Sequence, residues 1–451
     1  MNMCSLIQKY NVSGPRYTSY PTTPYWDIDT FSDKKWEASV QLSLSESNST
    51  ERISLYIHLP YCKSLCTFCG CHKRITKRHE LEEPYIATVL KRWSLYVTLF
   101  SEKPVIKELH LGGGTPTFFS PENLKNLING IFKKATKAEN HEFSFEGHPN
   151  NTTKEHLQVL YDVGFRRVSY GVQNYNKKVH KAIHRIQPFE NLKRVADWAR
   201  EIGYTYTEQD IIFGLPHQTM NHVIETKTLL QDRLAFYSYA HVPWMKGNGQ
   251  RSYKDADLPA ADLKRQQYET GKALLGQPGY EEIGMDHFAL KTDELFIFTQ
   301  ERRLHRNFMG YTASKTQLMI GLGASSISDS WYGFAQNVEG LEEYRHLVEN
   351  NVIPVVKRYM LSPEDEVIRK HILNLMCSMD TSWINEQMIF SDVPIVLQRL
   401  DKMRQDGLIE INTQQLKVTQ KRRPFVRNVY MAFDVRLYEK VPNTRLFSIT
   451  V

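Results

Sequence analysis

Between residues 53 and 242 two patterns of apolar positions take turns along the chain. Ile53-Ser54-Leu55-Tyr56-Ile57-His58-Leu59 alternates apolar and polar residues over much of its length and stops at Pro60, which reads as a strand. Further strands are predicted over Ile106–Leu111, Glu142–Glu146, Val168–Val172, Gln209–Phe213 and Ala235–Val242. Helical stretches separate them, at 81–100, 121–134, 153–163, two within 176–202, and one running to about 231. Ser120 followed by Pro121 marks a helix start: the serine caps, and proline suits the first helical position, whose N–H has no partner anyway. Strand–helix units repeated about six times predict an α/β fold with a parallel sheet and helices outside. Eight units do not fit before residue 245, so a partial (β/α)6 TIM-like barrel is expected. Its reactive face is the C-terminal end of the strands, where Cys62, Gly112 to Thr115, Glu146, Gln173, Asp210, Ala240 and His241 fall.

Four segments are predicted. Residues 1–50 carry Gly14-Pro15-Arg16-Tyr17-Thr18-Ser19-Tyr20-Pro21-Thr22, whose glycine and prolines argue for an extended path lying against the main domain. Residues 51–245 form the barrel. Residues 246–360 are less regular and are expected to complete the barrel and the substrate cavity. Residues 361–451 read as a small helical domain: a helix over Ile395–Asp406 closed by Gly407, a hairpin around Asn412-Thr413, and a helix over Pro424–Glu439. That arrangement is winged-helix-like and is expected to act as a lid.

Composition narrows the function classes. No run of eighteen apolar residues occurs, and Met1 to Tyr10 lacks an apolar signal core, so a cytoplasmic protein without a membrane span is expected. The net charge is +7, from 57 basic and 50 acidic residues. Its densest stretches, Lys133-Lys134 with Lys137 and Lys421-Arg422-Arg423, are too short for a nucleic-acid stripe; the mild excess suits an anionic small substrate.

Six cysteines are present, and four of them, Cys62, Cys66, Cys69 and Cys71, fall within ten residues. A secreted disulfide scaffold would spread them; clustering in a long chain points to metal ligation, leaving Cys4 and Cys377 isolated. Thiolates are soft ligands that suit iron–sulfur iron. Three of them in Cys-x3-Cys-x2-Cys spacing leave one iron of a four-iron cluster open to a substrate's amine and carboxylate. The structural alternative is a zinc knot using all four, for which the spacing is tight and paired Cys-x2-Cys halves are absent. Cys71, two residues after Cys69, is placed beside the site as a non-ligand. His110-Leu111-Gly112-Gly113-Gly114-Thr115 closes a strand with glycines that let the backbone approach a ligand, although a tight strand–helix turn reads the same way.

Cys-x3-Cys-x2-Cys after a first strand, with Phe68 before the third cysteine, resembles the radical-SAM superfamily. Cys71, the Gly14–Thr22 segment and Gly284-Met285-Asp286-His287-Phe288 narrow the resemblance to the oxygen-independent coproporphyrinogen III oxidases (the HemN type) over nearly the whole chain. The resemblance implies one [4Fe-4S] cluster on Cys62, Cys66 and Cys69 and two molecules of S-adenosylmethionine. Tyr56, Gly113, Glu146 and the backbone of Ile327 would meet the first; Phe68, Gly114, Thr115, Gln173, Arg185, Asp210 and Ala240 would meet the second. It further implies decarboxylation of two propionates of coproporphyrinogen III by radical chemistry, a flavodoxin or ferredoxin as electron donor, and a monomer. No side-chain acid or base is assigned to the C–H step. Arg16, Tyr17, Tyr20, Lys254 and Arg306 are the candidates for holding the substrate, each otherwise an ordinary surface or packing residue. Haem chaperones of the same superfamily are the rival; they generally lack the N-terminal segment and a cysteine at position 71. Three places depart from the family pattern: Gly147-His148 where Asp or Asn usually precedes Pro149, Asn174 for Asp, and His184 for Asn. They bear on the S-adenosylmethionine sites more than on the cluster.

Overall fold

A computed structural model describes residues 3–26, 32–225, 231–244, 249–250, 253–385, 388–440 and 446–450; the side chains of Met3, Cys4, Gln420 and Lys421 lie outside that description. So does the end of the helix expected to reach 231. Twelve strands make one curved sheet: β1 Ile53–Leu59, β2 Val105–Gly113, β3 Thr136–Gly147, β4 Phe165–Gln173, β5 Tyr206–Phe213, β6 Arg233–Ser238, β7 Tyr280–Ile283, β8 His287–Leu290, β9 Leu318–Leu322, β10 Ile327–Asp329, β11 Gly333–Asn337 and β12 Val355–Met360. Their order across the sheet is β12-β11-β10-β9-β1-β2-β3-β4-β5-β6-β8-β7. From β9 to β6 neighbours run parallel, and the flanking strands are antiparallel.

The alternation in β1 explains which face does chemistry. Ile53, Leu55, Ile57 and Leu59 are fully buried in an apolar core with Val89, Trp93, Leu127 and Ile131 of the outer helices. Each such side chain contributes about 1.5–3 kcal/mol by leaving water. The intervening Ser54, Tyr56 and His58 face the barrel interior, where Ser54 donates to Glu108 at 2.6 Å and Tyr56 meets His58 at 3.1 Å. The first helix starts were legible: Ser120 Oγ accepts from the Asn123 N–H at 3.2 Å above Pro121–Phe132.

Several expectations need correction. Residues 1–50 are not extended throughout. Helices form over Met3–Tyr10 and Asp33–Ser47, and among the described residues between them residues 11–22 are irregular before the short helix Thr23–Tyr25. The second helix hid because serines share its buried face: Trp36, Ser39, Val40, Ser43, Leu44 and Ser47 blur the apolar period. The strand predicted to end at Val242 stops at Ser238, and the one predicted over 142–146 begins at Thr136. The helix predicted over 424–439 breaks at Asp434 into Val426–Phe433 and Val435–Glu439. Asp434 leaves helical geometry and its carboxylate caps the second piece, accepting from the Leu437 N–H at 2.9 Å.

The stretch 246–360 supplies β7 through β12. Its strands are short, and β9 is buried at every position, so no alternation advertises them. The C-terminal part has helices Pro363–Ser378, Val393–Gln405 and Val426–Phe433 around a three-stranded sheet of Asp380–Ser382, Ile409–Ile411 and Gln415–Val418. Its core is continuous with Leu6, Ile7, Tyr10, Tyr17 and Tyr20 of the N-terminal segment. No helix among the described residues is long and apolar enough to cross a membrane.

Candidate active site

The cysteine loop leaves β1 through Pro60 and is closed at its base. Tyr61-Cys62 pairs in parallel with Arg74-Ile75, and the Arg74 N–H donates to the Pro60 carbonyl at 2.8 Å. Thr67 N–H donates to the Ile183 carbonyl at 3.0 Å, tying the loop to the far wall. Cys62, Cys66, Cys69 and Cys71 all line one cavity of about 220 Å³ at the C-terminal ends of the parallel strands. Cys62 Sγ lies 3.3 Å from Thr115 Oγ1, and Cys66 Sγ lies 3.6 Å from an Arg185 guanidinium nitrogen. Burial pushes the Cys62 thiol up to about 11, while the Cys71 side chain and then Lys73 hold Cys69 below the usual thiol range.

Two glycines bring the cradle onto the loop. Gly113 has φ +111°, and a Cβ there would come within 2.7 Å of the His58 ring. At Gly114 a Cβ would meet the Pro60 carbonyl at 2.6 Å. That close approach lets Gly114 N–H donate to Leu59 at 2.8 Å and Thr115 N–H to Tyr61 at 3.0 Å, which sets Thr115 beside Cys62.

The opposite wall carries Glu146, Gln173, Arg185 and Asp210. Arg185 donates to the Gly171 carbonyl at 2.6 Å. His110 lies 2.7 Å from Ser144 Oγ and 3.5 Å from Glu146 Oε1, with its ring stacked near Tyr56 at 6.1 Å. Burial, then Glu208 and Glu146, push Asp210 well above the usual carboxylate range. The side-chain oxygen of Gln173 is buried with no hydrogen-bond partner among the described residues. An orphaned acceptor, a cation and two carboxyl groups facing three thiols fit a cluster with a ligand that carries both ammonium and carboxylate. Among the described residues no three His, Cys, Asp or Glu converge to hold a single metal ion.

The radical SAM superfamily matches residues 56–230. Over 448 residues the chain is 36% identical to the oxygen-independent coproporphyrinogen III oxidase of Synechocystis, covering 96% of this chain and 95% of that one. The oxygen-independent coproporphyrinogen III oxidase of Escherichia coli K12 is also 36% identical, over 446 residues, 97% of this chain and 96% of that one. This chain belongs to the oxygen-independent coproporphyrinogen III oxidase family. The solved structure of the Escherichia coli coproporphyrinogen III oxidase, described as a radical SAM enzyme, superposes with a TM-score of 0.88 at 33% identity. That match covers 96% of this chain and 99% of the other.

Of the candidates for the cofactors in this family member, Cys62, Cys66, Phe68, Cys69, Gly113, Gly114, Thr115, Glu146, Gln173, Arg185 and Asp210 share the one cavity. Tyr56 stands behind it, against Gly112 and His110. Ala240 reaches it indirectly: Gln250 donates to the Ala240 carbonyl at 3.0 Å and to the Phe68 carbonyl at 3.2 Å. Ile327 lies on β10, two strands from β1, and is not among the residues lining the cavity.

The substrate candidates divide. Arg16 enters a second cavity; Tyr17 and Tyr20 are buried, and Tyr17 donates to Asp434 at 2.8 Å. Lys254 is exposed at the start of the short helix Asp255–Asp257. Arg306 packs over the Tyr311 ring at 4.5 Å, two of its nitrogens buried without a hydrogen-bond partner among the described residues. Sequence reading missed Tyr237, Lys63 and Lys73, which complete the first cavity.

The family departures are local. His148 lines the cavity; its Nδ1 accepts from the Asn150 N–H at 3.1 Å, and burial with Arg185 nearby holds it neutral. Asn174 is buried, accepting from the Asn176 N–H at 2.8 Å. His184 takes φ +50° at the turn that delivers Arg185.

Proposed function

We propose that this chain oxidatively decarboxylates two propionate side chains of coproporphyrinogen III to vinyl groups, giving protoporphyrinogen IX in haem biosynthesis. The observation that carries this reading is the convergence of three thiols and the Glu146–Gln173–Arg185–Asp210 wall on one cavity, in a chain similar to this family along nearly its full length.

Cys62, Cys66 and Cys69 are the residues that would hold a [4Fe-4S] cluster, with Cys71 beside them. Glu146, Gly113 and Tyr56 would receive one S-adenosylmethionine, and Gln173, Arg185, Asp210, Thr115, Phe68, Gly114 and Ala240 a second. Bound there, a cluster reduced by one electron, together with S-adenosylmethionine, would supply a radical able to remove hydrogen from a propionate β-carbon. Each event releases CO2 and passes one further electron to an acceptor. The protein's part is positional. Arg185 offers a guanidinium to carboxylate, Gln173 an unpaired acceptor, and the glycine cradle keeps backbone close to the ligand. Arg16, with Tyr17 and Tyr20 packed beneath the C-terminal part, supports a substrate seat between the N-terminal segment and the barrel. A cytoplasmic monomer reduced by a flavodoxin or ferredoxin, and binding no nucleic acid, completes this reading.

Anaerobic reconstitution with iron and sulfide, followed by incubation with reductant, S-adenosylmethionine and coproporphyrinogen III, tests it. Vinyl-bearing product together with 5′-deoxyadenosine is expected. Absence of both would overturn it.

A further inference from the structure

A second, smaller cavity of about 50 Å³ lies beneath the C-terminal part. Five cations line it; Arg265 pairs with Glu269 and Arg423 lies by Glu282, which leaves three from distant parts of the chain: Arg16 of the N-terminal segment, Lys264 of the helix Ala261–Gly276 and Arg427 of the helix Val426–Phe433. Their hydrogen bonds go to backbone carbonyls. Arg427 donates to Pro15 at 3.2 Å, to Ile449 at 2.9 Å and to Gly14. Lys264 donates to Tyr239 at 3.2 Å, and Arg16 to Ser238 at 3.2 Å. Carbonyls satisfy N–H groups but leave the charge in place.

One carboxylate serves all three. Asp286 lies 3.9 Å from Arg16, and it acts on Lys264 and Arg427 as well. The other acid in the wall, Glu282, is engaged by Lys272, by Arg423 at 3.9 Å and by the Tyr268 hydroxyl at 2.6 Å. Buried charge without a counter-charge is costly. The strain shows in the cations themselves: burial first, then Arg16, pulls Lys264 down to about 8 and Arg427 down to about 9. Even with Asp286 and Glu282, the chamber keeps an excess of positive charge.

The chamber adjoins the cluster cavity. Arg16 bonds the carbonyl of Ser238, and the preceding residue, Tyr237, lines the cluster cavity and lies within the field of Arg16. We infer that Arg16, Lys264 and Arg427 form a seat for one carboxylate of the substrate, a propionate that is not reacting while another faces the thiols. The inference rests on the functional reading above. It assigns Lys264 and Arg427, which that reading does not use.

The test is fluorescence titration of the reconstituted full chain with coproporphyrin III, the oxidised and unreactive form of the substrate, and with its tetramethyl ester. Lys264→Gln and Arg16→Gln are each expected to weaken coproporphyrin III binding about tenfold or more, the scale of a lost charge-assisted hydrogen bond. Lys264→Arg should restore most of the affinity, and the ester should bind parent and Lys264→Gln alike. Unchanged iron content and S-adenosylmethionine affinity in the variants will show that the fold is intact. If both Gln variants bind coproporphyrin III like the parent while the parent turns over coproporphyrinogen III, the seat is overturned and the functional reading stands. If the parent neither binds nor converts the tetrapyrrole, yet acetate raises its Tm and not that of Lys264→Gln, the functional reading and the substrate assignment both fall, and the chamber takes a free carboxylate.

Discussion

The hydroxyl of Tyr17 donates to Asp434 Oδ2 at 2.8 Å, with both side chains buried. The bond ties the N-terminal segment to the break in the last long helical stretch, because the same carboxylate caps Leu437. Tyr17→Phe leaves that buried acceptor short of one donor, which costs about 1–3 kcal/mol. A lower urea midpoint and faster proteolysis of the N-terminal segment are expected. An unaltered midpoint would show that the contact does not hold the segment.

The cysteines make a sharp set. Cys62→Ser, Cys66→Ser and Cys69→Ser should each lose the iron–sulfur absorbance and the bound iron after reconstitution. Cys71→Ser should keep both, since Cys71 lies at the exposed edge of the loop. Iron analysis decides it, and iron loss in the Cys71 variant would make that residue a ligand.

Arg185 spans the cavity from the Gly171 carbonyl to Cys66. Arg185→Met removes a cation that faces the ligand space and should weaken S-adenosylmethionine binding about tenfold to a hundredfold, leaving iron content intact. Equilibrium dialysis with reconstituted protein reads this directly, and an affinity equal to the parent's would remove Arg185 from the site.

Acid should loosen the C-terminal part through His371. Its two ring nitrogens lie 2.8 Å from Thr381 Oγ1 and 2.8 Å from the Met388 carbonyl, and burial pulls it down to about 4. Above pH 6.5 the folded and unfolded forms are both neutral. Between pH 6.5 and 4 the unfolded chain binds a proton that the folded chain refuses, so stability falls with pH by about 1.4 kcal/mol per unit. Stability from urea unfolding should be lower at pH 5 than at pH 7, and His371→Asn should reduce that slope by about 1.4 kcal/mol per unit, with buried His58 and His305, also pulled down to about 4, keeping the remainder. A variant with the parent's slope would mean His371 is not the group responsible.

The strands of the barrel were legible because short apolar-rich runs recur between helical stretches, and the cysteine loop was legible because its spacing is local. The strand–helix pattern put Glu146, Gln173 and Asp210 at or near strand C-terminal ends on the reactive face, while their ligand roles came only from resemblance. Leu318–Leu322 hid because a strand buried at every position loses the two-residue period, and the strands after it are short. Lys264 left no trace at all, since it falls in residues 246–360, which read as less regular. Its neighbours Arg16 and Arg427 lie 248 and 163 residues away, and only the fold brings them together.

The joining of chain ends fixes an order on the ribosome. Every residue lining the cluster cavity falls between Cys62 and Tyr237. Val12, Ser13 and Gly14, by contrast, find their partners in residues 447–450 and in Arg427. A nascent chain therefore carries its full set of thiols and their opposite wall long before the tripartite cation chamber exists. The chamber is completed only once Arg427 and residues 447–450 have joined Val12, Ser13 and Gly14.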